Sequence, residues 1–200
     1  MSALLPLFPL ALVVFPGNAV PLHIFEERYR EMVGTAEADS TEFGIVLVKN
    51  GGLVNSGCTV QVERVVNRYP DGRFDVLTRG KRRFLIEAVN HENACLRAEV
   101  DYFDDDDHSM VPGELRERVL RMFAQLPDGV DASANRLSFQ IAALVDDLDF
   151  KTVLQRSRSE THRLRLLADF LEAWLPRKVY QSKMKHAAPT NGHGHKPAGL

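Results

Sequence analysis

The chain has 200 residues, 44% apolar and 26% charged, a balance that supports a real core and excludes a disordered or fibrous polymer. Its 27 acids against 25 bases give a formal net charge of −2, and five of those bases crowd into the acid-free stretch from Arg177 to the end. The body is therefore acidic, which does not advertise nucleic-acid binding, and no stretch approaches the roughly 18 uncharged apolar residues of a membrane span.

In chain order, short runs of β-branched and aromatic residues predict strands over 4–14, 20–24, 43–49, 57–68, 73–78, 81–90 and 94–103. One helix interrupts them, because Phe25, Tyr29, Met32, Val33 and Ala36 fall on a single apolar stripe. The clearest hairpin turns at Tyr69-Pro70-Asp71-Gly72, where Gly72 follows Asp71 to supply the positive φ of a tight return, and Gly80 is expected to turn the chain again. Strands joined by tight turns around one helix point to an antiparallel sheet curled toward a barrel.

The run Asp104-Asp105-Asp106-Asp107 and the residues up to Pro112-Gly113 read as a solvated acidic linker. Beyond it the apolar spacing becomes helical. Leu115, Val119, Met122, Phe123 and Leu126 line one helix, stopped by Pro127-Asp128-Gly129, and Leu137, Ile141, Leu144, Val145 and Leu148 line a second. A short turn around Phe150, Val153 and Leu154 is expected next. Ser157-Arg158-Ser159-Glu160 then matches a capping box that opens a last helix, buried through Leu164, Leu167, Phe170, Leu171 and Trp174 and ended by Pro176. The predicted division is thus an α+β chain with a β subdomain over 1–103, the linker over 104–113, a helical subdomain over 114–176 and a basic, disordered tail over 177–200.

Three segments carry a family resemblance. The first runs from Leu5-Pro6-Leu7-Phe8-Pro9-Leu10 through Phe15-Pro16-Gly17 to Pro21-Leu22-His23-Ile24-Phe25-Glu26-Glu27-Arg28-Tyr29. The second is Gly57-Cys58 to Val65 with Asp71-Gly72-Arg73-Phe74-Asp75-Val76 and Gly80-Lys81-Arg82-Arg83-Phe84. The third is Leu137-Ser138-Phe139-Gln140-Ile141-Ala142 with His162-Arg163-Leu164. Together they resemble the Lon N-terminal, or substrate-binding, domain of ATP-dependent Lon proteases, cereblon and small stand-alone bacterial proteins. The resemblance implies a PUA-like pseudo-barrel followed by a small helical bundle. It does not extend to the protease's chemistry. Gly80-Lys81 has neither the earlier glycine nor the following hydroxyl of a phosphate loop, and no serine-lysine protease module accompanies it in these residues.

Candidate sites are weighed against bland roles. The segment from Pro16 to Tyr29 is a candidate partner surface through Pro16, His23 and Phe25; its alternative is a purely structural motif with Phe25 and Tyr29 in the core and Arg28 paired to an acid. Arg79, Lys81, Arg82 and Arg83 form the dense basic cluster of the body, suited to RNA phosphates or an acidic peptide, although strand alternation sends Arg82 and Arg83 to opposite faces. The four aspartates with His108 lack the alternating ligands of a calcium loop, and His193-Gly194-His195 lacks a third fixed ligand, so no metal and no cofactor is expected. Cys58 and Cys95 form no Cys-x-x-Cys pair and read as inert strand thiols, which with the absence of a basic signal-peptide start makes the cytoplasm the expected compartment. No catalytic residue is assigned, since no Gly-x-Ser-x-Gly and no helix-spaced histidine pair occurs. The expected function is a non-catalytic module binding polypeptide segments or a protein partner, including one from a proteolysis system. It would act through apolar barrel surface and a groove between barrel and bundle, with RNA binding through Arg79 to Arg83 as the alternative.

Overall fold

A computed structural model describes residues 4–91, 94–124, 131 and 136–187, with side chains placed as far as Glu172 to Pro176 on the last helix. The strands are β1 (Leu5–Leu10), β2 (Ala19–Ile24), β3 (Glu42–Lys49), β4 (Gly52–Arg68), β5 (Phe74–Asn90) and β6 (Arg97–Phe103). Helix α1 (Glu27–Ala38) lies between β2 and β3; α2 (Gly113–Phe123), α3 (Leu137–Leu144), α4 (Leu148–Arg156) and α5 (Glu160–Ala187) follow the strands.

Strand β5 pairs with β4 along most of its length, with β2 over its first half and with β6 over its second. Because β6 also pairs with β1 and β1 with β3, the sheet closes into a five-stranded barrel, with β2 as an extra edge strand on β5. The sheet is antiparallel except between β1 and β3, a parallel pair made possible because β2 and α1 carry the chain across before β3 begins. Purely antiparallel pairing, as expected from the turns, is thus corrected to a mixed sheet. The class is α+β.

The Asp-Gly return is as the residues predict, with Gly72 at φ 84° and its amide donating to the Tyr69 carbonyl. Gly80 is different. It does not turn the chain; β5 runs straight through it, and a Cβ there would stand 2.1 Å from the Phe15 carbonyl oxygen. The missing side chain admits the β1–β2 loop, which is tied down as the Gly17 amide donates to the Gly80 carbonyl and the Gly80 amide to the Asn18 carbonyl.

The barrel core contains Phe8, Val14, Leu22, Ile24, Tyr29, Val33, Phe43, Ile45 and Val60. The helical core of Val119, Phe123, Leu137, Phe139, Ile141, Leu154, Leu164, Leu167 and Leu171 takes in Val13, Phe15 and Leu47 of the barrel half, with the Phe15 and Phe139 rings stacked at 5.4 Å. Gln155 fastens the same seam: its Nε2 donates to the Val14 carbonyl and its Oε1 accepts from Ser56 Oγ.

Three helical details depart from expectation. Residues 148–156 form a full helix, because Asp147 caps it by accepting from the Phe150 amide. The capping box does not form: Ser159 Oγ accepts from the His162 amide, while Glu160 turns inward to Ser138 and Arg163. Helix α5 continues through Pro176 to Ala187, since buried Leu167, Ala168, Leu171 and Leu175 hold the turns before the proline and one missing amide donor does not unwind them. Residues 177–187 are therefore helical where a disordered tail is expected, and the rest of that tail lies outside the described residues, as do Leu126 and Pro127-Asp128-Gly129. No helix among the described residues is long and apolar enough to cross a membrane.

Candidate functional site

Alternation along β2 decides which residues of the first motif face outward. Leu22 and Ile24 point into the barrel, so Pro21, His23 and Phe25 lie outside. Phe25 is not a core residue. It is 59% exposed, whereas Tyr29, one turn into α1, is buried and stacked on Phe8 at 4.2 Å.

Between these outward residues and the end of β1 runs a groove of about 560 Å³, lined by Phe8, Leu10, Leu12, Pro21, Leu22, Phe25, Tyr29 and Leu96 among others. Its polar rim is held in place. The His23 ring Nδ1 lies 2.6 Å from Asp75 Oδ1, Tyr69 donates to the other Asp75 oxygen at 2.7 Å, and the ring stacks against Phe25. The hydrogen bonds from His23 and then Tyr69 hold the Asp75 carboxyl below its usual value. At the other side Arg28 pairs with Glu26 and lies over the Tyr29 ring, as the structural reading of that motif requires. Among the described residues none of the helical half lines this groove. Leu10, Leu12 and Leu96 are its lining that the sequence left unmarked, since nothing local separates a half-buried leucine beside a groove from one at a core edge.

The basic cluster does not act as one surface. Arg79 forks onto Glu63 and donates to the Gly17 carbonyl; Arg82 donates to Glu42 and lies over Tyr102; Lys81 is exposed. Arg83 is buried in the seam between barrel and helices. Pro16 is half-buried near that seam, apart from His23 and Phe25.

The acidic segment also departs from expectation. It contains no strand or helix before Gly113 and most of it is exposed, as a linker would be, but Asp105 is an exception. Asp105 is almost wholly buried and accepts from Arg83 Nη2 at 2.7 Å and from Arg163 Nη1 and Nη2 at 2.7 and 2.5 Å. Arg163 also donates to Glu160, which accepts from the Ser138 amide and hydroxyl, and both guanidiniums donate to the Ser157 carbonyl. Burial pushes the Asp105 carboxyl up, yet the hydrogen bonds and charges of Arg163 and Arg83 outweigh it and hold the carboxyl below its ordinary value. Burial likewise lowers Arg83, opposed by Asp105. Asp107 accepts from Ser109 and Ser159, which bring it down to about 2.

Among the described residues no group of three or more His, Cys, Asp or Glu side chains is placed to hold a metal ion; His193 and His195 lie outside them. Cys58 is buried, and desolvation pushes its thiol up to about 12, which makes it a poor nucleophile. Cys95 donates to the Arg28 carbonyl and is raised by burial in the same sense.

With this geometry in view, comparison with known proteins is specific. Residues 4–179 match the model of the ATP-dependent protease La (LON) substrate-binding domain. The crystal structure of a Lon N-terminal domain protein from Xanthomonas campestris superimposes with a TM-score of 0.68 at 25% identity, covering 82% of this chain and 96% of that one. The N-terminal domain of a Mycobacterium avium complex Lon protease gives 0.62 at 20% identity, covering 85% and 98%, a likeness of fold. Lon protease 1 of Hydrogenovibrio crunogenus is 28% identical over 103 residues, 48% of this chain and 12% of the protease. The chain thus spans about an eighth of that relative's length.

Proposed function

The chain belongs to the Lon substrate-binding domain family, and on that premise we propose that it is a non-catalytic binding module whose groove beside α1 holds apolar side chains of polypeptide segments. The observation that carries this reading is Phe25, a large ring left 59% exposed at the rim of an apolar groove. Exposed apolar groups gathered around a concavity mark interaction sites, whereas scattered ones do not.

The mode of binding follows from the strands. In a closed barrel only β2 offers an edge, and Pro21 in its middle removes an amide from it, so an added strand would meet an interrupted ladder. Side-chain insertion is the mode that the groove supports. Such recognition reads apolar character and not a strict sequence, and it tolerates salt because few charges are involved. Binding needs no cofactor and no bond-making residue. A cytoplasmic setting accords with two unpaired cysteines, Cys58 and Cys95.

Fluorescence anisotropy with a labelled unfolded polypeptide free of aspartate and glutamate tests this. The native chain should bind it equally at low and moderate salt, and Phe25→Ser or Leu10→Asp should weaken binding about tenfold, equivalent to the burial of one large side chain. Unchanged affinity in both variants, with the fold intact by circular dichroism, would overturn the groove as the site.

A further inference from the structure

A second concavity, of about 250 Å³, opens where the barrel meets the helical half. Among its lining groups are four cations, Lys81, Arg82, Arg83 and Arg136, and one carboxylate, Asp104. Arg83 is its buried base. Both its terminal nitrogens are taken, by the Gln155 and Ser157 carbonyls and by Asp105, but its Nε has no hydrogen-bond partner among the described residues. Asp104 reaches in from the rim, 2.5 Å from Arg136 and 3.5 Å from Arg83. Lys81 is exposed and has no ion-pair partner among the described residues.

We propose that this cleft is a carboxylate subsite, which takes an aspartate or glutamate side chain of a bound polypeptide. Three observations lead there. The arginines of the lining are each paired, Arg82 with Glu42, Arg83 with Asp105 and Arg136 with Asp104, so the uncompensated charge of the cleft is that of Lys81, and an unpaired cation at the rim of a concavity attracts an anion. Asp104 Oδ1, which lies between Arg136 and Arg83, shows that a carboxylate oxygen fits beside these guanidiniums. The size suits one side chain. An RNA strand would also need a free aromatic face for a base, and of the two rings that line the cleft Phe103 is buried against the Arg83 and Arg158 guanidiniums while Tyr102 already carries the Arg82 guanidinium at 4.0 Å.

This inference rests on the reading of the protein as a polypeptide binder and adds the chemistry that its ligands carry: acidic residues in the same segments as apolar ones. It also gives Lys81 a role that ion pairing inside the protein does not.

The test uses the full chain and two labelled peptides, identical in their leucines and phenylalanines, one carrying several aspartates and the other asparagines in their place. At low salt the native protein should bind the aspartate peptide about tenfold more tightly, an advantage that shrinks as salt rises. Lys81→Glu should abolish that preference while leaving the asparagine peptide and the melting temperature unchanged, and Lys81→Arg should retain it. Equal affinity for the two peptides in the native protein, or a preference that survives Lys81→Glu combined with Arg136→Gln, would overturn the cleft. The groove fails separately. An aspartate preference that persists in Phe25→Ser with no loss of overall affinity upholds the cleft and rejects the groove; affinity lost in Phe25→Ser with no aspartate preference does the reverse. Tighter binding of a single-stranded homopolymeric RNA than of the aspartate peptide, abolished by Lys81→Glu, would also overturn the proposal and assign the cleft to nucleic acid.

Discussion

The groove beside α1 and the seam between barrel and helices treat side chains in opposite ways. At the groove, Phe25 and Pro21 are left in water although they are apolar. At the seam, Arg83, Arg163, Asp105 and Glu160 are taken out of water although they are charged. Each inversion costs free energy, so each needs a reason. The buried charges answer one another: two guanidiniums meet two carboxylates, and the remaining hydrogen bonds go to Ser138 and to the carbonyls of Gln155 and Ser157. The exposed apolar groups have no such answer inside the chain. That asymmetry is the argument that the buried charges are compensated within the chain whereas the groove awaits a partner.

The sharpest way to break the comparison is to remove Asp105. Asp105→Ala leaves Arg83 and Arg163 facing each other in the interior, and loss of one partner from a buried ion cluster costs about 3–5 kcal/mol. Urea denaturation should show the drop, or no folded state. Replacing Arg83, Asp105, Glu160 and Arg163 together with methionine, leucine, glutamine and methionine should recover much of it, because no uncompensated charge then remains. If the single change costs nothing, the seam is not held by this network.

Acid probes the same group with a definite sign. Since the Asp105 carboxyl lies below its ordinary 3.8 in the folded chain, the folded state binds its proton less readily than the unfolded one. Its contribution is therefore fully present above about pH 3.8 and is lost as pH falls through the lower folded value. The stability gap between the native protein and Asp105→Asn should be constant near neutrality and close below that point. A gap that stays constant in acid would place Asp105 in water.

Gly80 sets a smaller effect. A methyl group at this position meets the Phe15 carbonyl carbon at 2.9 Å and its oxygen closer still, and neither belongs to a flexible side-chain end. Gly80→Ala should cost about 1–3 kcal/mol by overpacking, read as a lowered thermal midpoint.

These residues show where sequence reasoning succeeded and where it stopped. Alternation and turn chemistry are local, so the strands, the Asp71-Gly72 return and the helical second half were legible without coordinates. Gly80 was misread because a glycine that admits a distant carbonyl looks, in sequence, like one that turns the chain. Asp105 was misread for a related reason. Its partners Arg83 and Arg163 are far apart along the chain, and four consecutive aspartates look solvated until the arginines that receive one of them are brought together by folding. Arg163 itself lay in the motif resembling the Lon domain, but no spacing rule announces that an arginine will be buried. The groove was partly legible: the motif from Pro16 to Tyr29 includes His23 and Phe25 of its lining but also Pro16, which lies elsewhere, while its walls from β1 and Leu96 come together only when the barrel closes.

The smallest expected effect on stability bears most on function. Phe25→Ser removes a ring that is already largely in water, so the thermal midpoint should move within the range of an ordinary surface change, about 0.5 kcal/mol. Its stacking on His23 adds little to that. The same substitution should reduce binding of an unfolded polypeptide about tenfold. A core residue would show the reverse, a large loss of stability with binding lost only through unfolding. Measuring both quantities on one variant therefore distinguishes a ring that packs from a ring that waits, and a destabilisation of several kcal/mol would return Phe25 to the core and remove the groove's principal claim to be a site.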